Sequence, residues 1–181
     1  MSAAARDPRP LTGEPLALDL LNTRWNEEGA GRDLFDRPDG LAVWLAANGL
    51  DAAHPASPEA LGHLRRAREA LAVAVATSPE EGAPLVDAVL AHGRVRLRLT
   101  ARGPAEEPEF ADPAWGPAWL AARNYLDLLA KAPDRIRVCA HDSCVLRFFD
   151  TSRNGTRRWC SMAACGNRAK ASRHYARSKD A

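Results

Sequence analysis

This chain has no cysteine before position 139, no apolar run approaching the ~18 residues of a membrane span, and no glycine-rich phosphate loop or internal repeat. Each absence removes a class. Without the long apolar run no helix is expected to cross a bilayer, and the opening MSAAARDPRP lacks the apolar centre of a secretory signal. A cytoplasmic protein is the expectation. No nucleophile and base stand at a recognisable spacing, so catalysis is not expected.

What cysteine there is falls in the last quarter: Cys139, Cys144, Cys160 and Cys165, reading C-x4-C-x15-C-x4-C. Two pairs of thiolates fill the tetrahedral shell of one Zn²⁺, with bonds of about 2.3 Å. Such a closed site is structural, with no open position to activate water. Two disulfides or free thiols are the alternatives, the former needing an oxidising compartment. His141, inside the first pair, is a candidate substitute ligand, better suited to a role outside the shell.

Charge divides the chain at the same place. Residues 134–181 hold 11 Lys and Arg against 4 Asp and Glu, a net of +7, which leaves −5 for residues 1–133 out of the overall +2. The expected organisation is a body over 1–133 and a basic module over 134–181. The module is too short to rely on a hydrophobic core, so a metal staple makes physical sense, and without metal it should be disordered.

In the body, residues 1–15 read as a loose lead-in, and Leu16–Leu20 suits a strand or a short buried helix equally. A helix is expected over Leu41–Asn48. The clearest helix runs from Pro58 to about Thr77, with Ser57 as N-cap and Leu61, Leu64, Arg68, Leu71 and Val75 on one face. Pro79 and Gly82 should break the chain before a short helix over Leu85–Ala91. Arg94–Thr100 alternates apolar and arginine residues, as in a half-buried strand. A last body helix covers Pro113–Lys131. His54, His63 and His92 read as surface or loop residues. In the module, Arg135–Cys139 and Val145–Phe149 should pair as a hairpin, followed by a helix that Ser161 caps. The fold class is therefore α+β: a mainly helical body with a small β element, then a treble-clef-like zinc module of β-hairpin plus helix.

Lys170, Arg173 and Arg177 share one face of that last helix, with Arg157 and Arg158 before it, Arg168 on its first turns and His174 alongside. A basic helix on a metal-clamped hairpin suits phosphate contact and entry into a major groove. Docking on an acidic protein partner or on RNA would use the same face.

The string Trp159-Cys-Ser-Met-Ala-Ala-Cys-Gly-Asn-Arg168, with Lys170 after it and Cys139, Cys144 and Phe149-Asp-Thr-Ser152 before it, resembles the CGNR zinc-finger family. Leu16-Ala-Leu-Asp-Leu-Leu-Asn-Thr23 resembles the opening of the ABATE domain that precedes this finger. The resemblance implies a bacterial, stress-induced transcription regulator whose finger binds DNA and whose N-terminal domain senses a small-molecule effector or forms a homodimer. It implies nucleoid association, the four cysteines as ligands of one structural Zn²⁺, and Arg168 and Lys170 facing nucleic acid. It also implies that Gly166 permits a tight backbone approach and that Asn167 caps the helix or bonds the thiolates.

Overall fold

Ser57 starts the longest helix of the protein. In the computed structural model, which describes residues 6–77 and 79–171, its hydroxyl accepts the Ala60 N–H at 3.2 Å and Pro58 occupies the first turn. The body begins with α1 (Leu16–Leu21), β1 (Arg24–Glu27), β2 (Ala30–Asp33) and α2 (Gly40–Ala47), and α3 is the Ser57-capped helix (Pro58–Ala76). It continues with α4 (Pro79–Leu90), β3 (Gly93–Thr100), β4 (Gly103–Phe110) and α5 (Gly116–Lys131). The module contributes β5 (Ile136–Val138), β6 (Arg147–Phe149) and a π-helical turn over Met162–Gly166 that runs on as α-helix through 171.

The helical layer closes because its contact residues are small. A Cβ on Gly82 would stand 2.5 Å from Ala74 Cα, so α4 crosses α3 at near-backbone distance. Ala67 and Ala70 of α3 and Ala118, Ala121 and Ala122 of α5 are buried in the same seam. Hydrogen bonds pin it: Tyr125 Oη donates to Ala74 O at 3.1 Å and Trp119 Nε1 to Leu90 O at 2.9 Å. Into this layer α1 inserts Ala17, Leu18 and Leu20, each fully buried. A buried leucine is worth roughly 1.5–3 kcal/mol, so this six-residue helix owes its existence to packing rather than propensity.

Among the described residues all three sheets are two-stranded and antiparallel. In β1–β2 the two-residue loop Glu28–Gly29 has φ of 50° and 83°, the left-handed pair that a tight hairpin turn requires. In β3–β4 the strand foreseen at Arg94–Thr100 is present but is not half-buried. Its one partner is β4, and the ribbon runs outward beyond the helices, leaving Leu97 76% and Leu99 87% exposed. Its opposite face is tied by Arg94 and Arg96 to Glu109 and by Arg98 to Glu107.

Three other expectations give way to packing. The lead-in is pinned from residue 7 onward: the buried Arg9 guanidinium holds Asp19 at 2.6 Å and Asp7 at 2.7 Å. Helix α4 starts at Pro79 rather than Leu85: Pro79 takes the first position, where the missing N–H has no partner anyway, and Pro84 lies inside the helix instead of opening it. The histidines are packing groups. His63 and His92 stack on Trp115 at 3.8 and 3.6 Å, and His54 meets Phe110 edge-on. Arg173, His174 and Arg177 lie outside the described residues.

Candidate metal centre and basic module

The module hangs from one strand. In β6, Arg147 gives its N–H to Asn22 Oδ1 and its carbonyl accepts from Asn22 Nδ2, both at 2.8 Å, so one amide side chain stands in for a neighbouring strand. Phe149 N–H donates to Glu14 Oε2 at 2.9 Å. Leu146 and Phe148 are buried in the same apolar cluster as α1. The body and the module thus share a core.

Asn22 is the fastener. Asn22→Leu keeps its bulk and abandons both backbone groups of Arg147, at about 1–3 kcal/mol for each. Amide exchange at 146–149 in the zinc-loaded variant should quicken by at least an order of magnitude while α3 stays protected. Unchanged protection would rule this role out.

From the β5–β6 hairpin the chain makes two knuckles. Cys139 N–H donates to Leu146 O at 2.9 Å, extending the ladder, and Cys144 N–H donates to His141 O at 2.8 Å, closing the first turn. Ala140 N–H donates to Arg158 O at 2.8 Å and brings the second loop alongside. Cys160 N–H then points at Cys139 Sγ at 3.4 Å. Ser161 Oγ accepts from Ala164 N–H at 3.4 Å, starting the π-helical turn that carries Cys165 inward.

The four sulfurs lie within 4.8 Å of one another. Cys144 and Cys160 are 3.8 Å apart, and Cys160 and Cys165 3.6 Å. A tetrahedron with metal–sulfur bonds of about 2.3 Å has edges of about 3.8 Å. Disulfides stand at about 2.05 Å, so all four cysteines are free thiols spaced for a shared ion. His141 is outside the cluster, its Nδ1 taken by the Ser143 N–H at 3.3 Å and facing the Ser143 hydroxyl at 3.0 Å.

The mutual influence of the thiols on their acidity points the same way. The hydrogen bond from Cys160 lowers the Cys144 pKa to about 5, and that same bond, aided by burial, raises Cys160. Burial raises Cys165 to about 11. One thiolate suppresses its neighbours, and only a cation lets all four ionise together. The residues fit zinc: Cys139, Cys144, Cys160 and Cys165 would hold it, and its contribution is structural.

Around the cluster, buried Asp150 ties down the preceding loop, accepting Ser152 N–H at 2.8 Å and Arg157 N–H at 3.0 Å. Arg157 itself turns inward. It donates to Cys160 O at 2.6 Å and Trp159 O at 3.1 Å, lies 4.2 Å from the centre of the Phe148 ring and pairs with Glu14 at 3.3 Å. Its guanidinium is a brace between body and finger. Asn167 donates to Ala163 O at 3.4 Å, a bond to the helical turn rather than to a thiolate. A Cβ on Gly166 would stand 2.7 Å from Met162 Sδ. Arg158, Arg168 and Lys170 have exposed side chains, Arg158 lying over Trp159 at 5.2 Å.

The architecture is thus a helical body carrying a four-cysteine zinc finger. Residues 14–132 match the ABATE family, described as a putative stress-induced transcription regulator, and residues 135–178 match the CGNR zinc finger. The chain belongs to the ABATE family and carries a CGNR finger after that domain. No curated protein matches it. Neither family description is that of an enzyme, and among the described residues no helix is long and apolar enough to cross a membrane.

The other polar residues of the ABATE opening also build structure. Asp19 accepts from Arg9, Gly13 N–H and Asn48, and Thr23 Oγ1 accepts from Arg68 at 2.7 Å. Nothing in their spacing announces these partners.

Proposed function

We propose that this protein is a zinc-dependent, DNA-binding regulator of bacterial transcription, working in the cytoplasm on the nucleoid and divided into a body over 1–133 and a finger over 134–181. The finger grips DNA, and the body senses a small molecule and dimerises. One observation carries the reading: a module rigidified around one ion presents Arg158, Arg168 and Lys170 outward, in a segment with a net charge of +7. Arg173 and Arg177 extend the same sequence of cations, whereas Arg157 is committed to internal bonds. A single small finger makes few base contacts, so paired half-sites and a dimer supply the affinity. The exposed Leu97 and Leu99 of the β3–β4 ribbon offer an apolar surface for self-association.

Salt titration of binding to promoter DNA tests this. Affinity should fall steeply with salt, and Arg168→Ala with Lys170→Ala should flatten the log–log slope by about 0.9 for each phosphate contact removed. Leu97→Asp should lower the protein-to-DNA stoichiometry from 2 to 1. Salt-independent affinity, or nuclease-resistant capture of an acidic protein with no DNA shift, would favour an adaptor instead.

A further inference from the structure

A cleft of about 790 Å³ lies where the body meets the finger. Its walls come from the β1–β2 hairpin, from α3 and from Val145 and Arg147 of the zinc module. Five arginines line it, at 24, 32, 65, 68 and 147, against two aspartates, at 33 and 36. Four of the five are matched: Arg24 to Asp33 and Glu69, Arg32 to Glu27, Arg65 to Asp36 and Arg68 to Asp33. Counting Glu27 and Glu69 with the lining acids, one positive charge remains.

That charge belongs to Arg147. Among the described residues no carboxylate lies within ion-pair distance of it, and its guanidinium finds one acceptor, Val145 O at 3.4 Å. Its Nε is buried without any acceptor, as is Nε of Arg68, whose side chain is 2% exposed. Arg147 as a whole is half-buried, but a buried donor such as its Nε nearly always has a partner. Burial correspondingly pulls the Arg147 pKa down. Beside the arginines, Trp25, Ala72 and Val145 give the cleft an apolar floor.

We propose that this cleft binds a small organic carboxylate, its charged head paired with Arg147 and its apolar body resting on Trp25, Ala72 and Val145. A single unmatched guanidinium calls for a monoanion, and a carboxylate matches its planar donor fork. Because one wall is β6 and the others are the body, the occupant touches both units. Its binding is therefore linked to finger placement, and DNA affinity and carboxylate affinity change each other by the same factor. The inference gives the sensing role proposed above a site, but the binding itself is read without DNA.

The test is calorimetry on the full zinc-loaded chain with benzoate, with neutral benzamide as the isosteric control. Benzoate should bind saturably below about 10 mM, and benzamide should not. Arg147→Gln should weaken benzoate roughly ten- to hundredfold with zinc content unchanged. Ala72→Phe, which fills the cleft and leaves every charge in place, should do the same and covers the case of a misfolded Arg147 variant. Absence of saturable benzoate binding, equal binding of benzamide, or indifference to both variants overturns the proposal. So does an Arg147→Gln protein that keeps benzoate affinity but loses DNA affinity, which would make the cleft a phosphate contact.

Discussion

Stripping zinc from the purified protein should unfold residues 135–171 and leave α3 and α5 standing. Among the described residues the finger's regular structure amounts to two three-residue strands and one helical stretch, and its buried apolar side chains are few: Leu146, Phe148, Phe149 and three of the four cysteines. Structural zinc supplies apparent binding energies on the order of 10–16 kcal/mol in finger peptides, more than the whole stability of many domains. Without the ion the cluster is four free cysteines, three of them buried, with no cation to hold four thiolates together. The knuckles lose their centre, and the bonds from Cys160 N–H to Cys139 Sγ and from Ala140 N–H to Arg158 O lose the frame that aligns them.

Cys160→Ser should behave as the metal-free protein does even in excess zinc, because Cys160 is in contact with both Cys144 and Cys165. Amide exchange read by mass spectrometry should show protection lost across the finger. The body's melting temperature should fall by several degrees as Leu146 and Phe148 leave the shared core. A chelated protein that kept its finger protection would mean that packing on α1 alone holds the module.

The second large effect is expected from Asp33→Ala. Arg68 lies on the inner face of α3 with 1% of its surface exposed, and Asp33 binds it in a fork, Nη1 to Oδ1 at 2.8 Å and Nη2 to Oδ2 at 2.6 Å. The guanidinium also lies 5.1 Å from the centre of the Phe35 ring. Removing the carboxylate strands a buried charge, at a cost of about 3–5 kcal/mol. Denaturant melts should show that loss. The double variant Asp33→Ala with Arg68→Met should recover most of it, since no charge is then left buried. A single variant within 1 kcal/mol of wild type, by the scale of ~3–5 kcal/mol for a broken buried pair, would contradict the assignment.

The same pair sets acid stability. Burial alone would raise the Asp33 pKa, but the bonds from Arg68, the Phe35 N–H and Arg24 outweigh it and hold it below 3.8. A carboxylate lowered on folding adds its full stability above its unfolded pKa and loses it as pH falls through the folded one. Wild type should therefore resist acid down to about pH 4 and weaken below it, and Asp33→Asn should flatten that part of the curve.

Legibility in the sequence followed the range of the interactions. Helix α3 was plain because its cap, proline and apolar stripe are all local. The four sulfurs were plain because metal chemistry restricts both residue type and spacing. The β1–β2 hairpin was hidden: its turn is Glu28–Gly29 rather than Asn-Gly, and its strands are mostly exposed, so neither turn chemistry nor alternation marks it. Strand β3 showed its period correctly, but alternation cannot tell whether a core lies beneath the apolar face. Asn22 and the inward turn of Arg157 depend on partners 125 and 143 residues away, which no local pattern encodes. Arg147 looked like any strand arginine, and its lack of a carboxylate is visible only once β1, β2 and α3 surround it.

X-ray absorption at the zinc edge, on protein purified without added metal, tests the central claim most directly. One zinc per chain with four sulfurs at about 2.3 Å and no nitrogen in its shell is the predicted result. A substoichiometric ion, a histidine nitrogen in the first shell, or sulfurs joined as disulfides would contradict the claim that these four cysteines close around one metal to hold the basic module in shape.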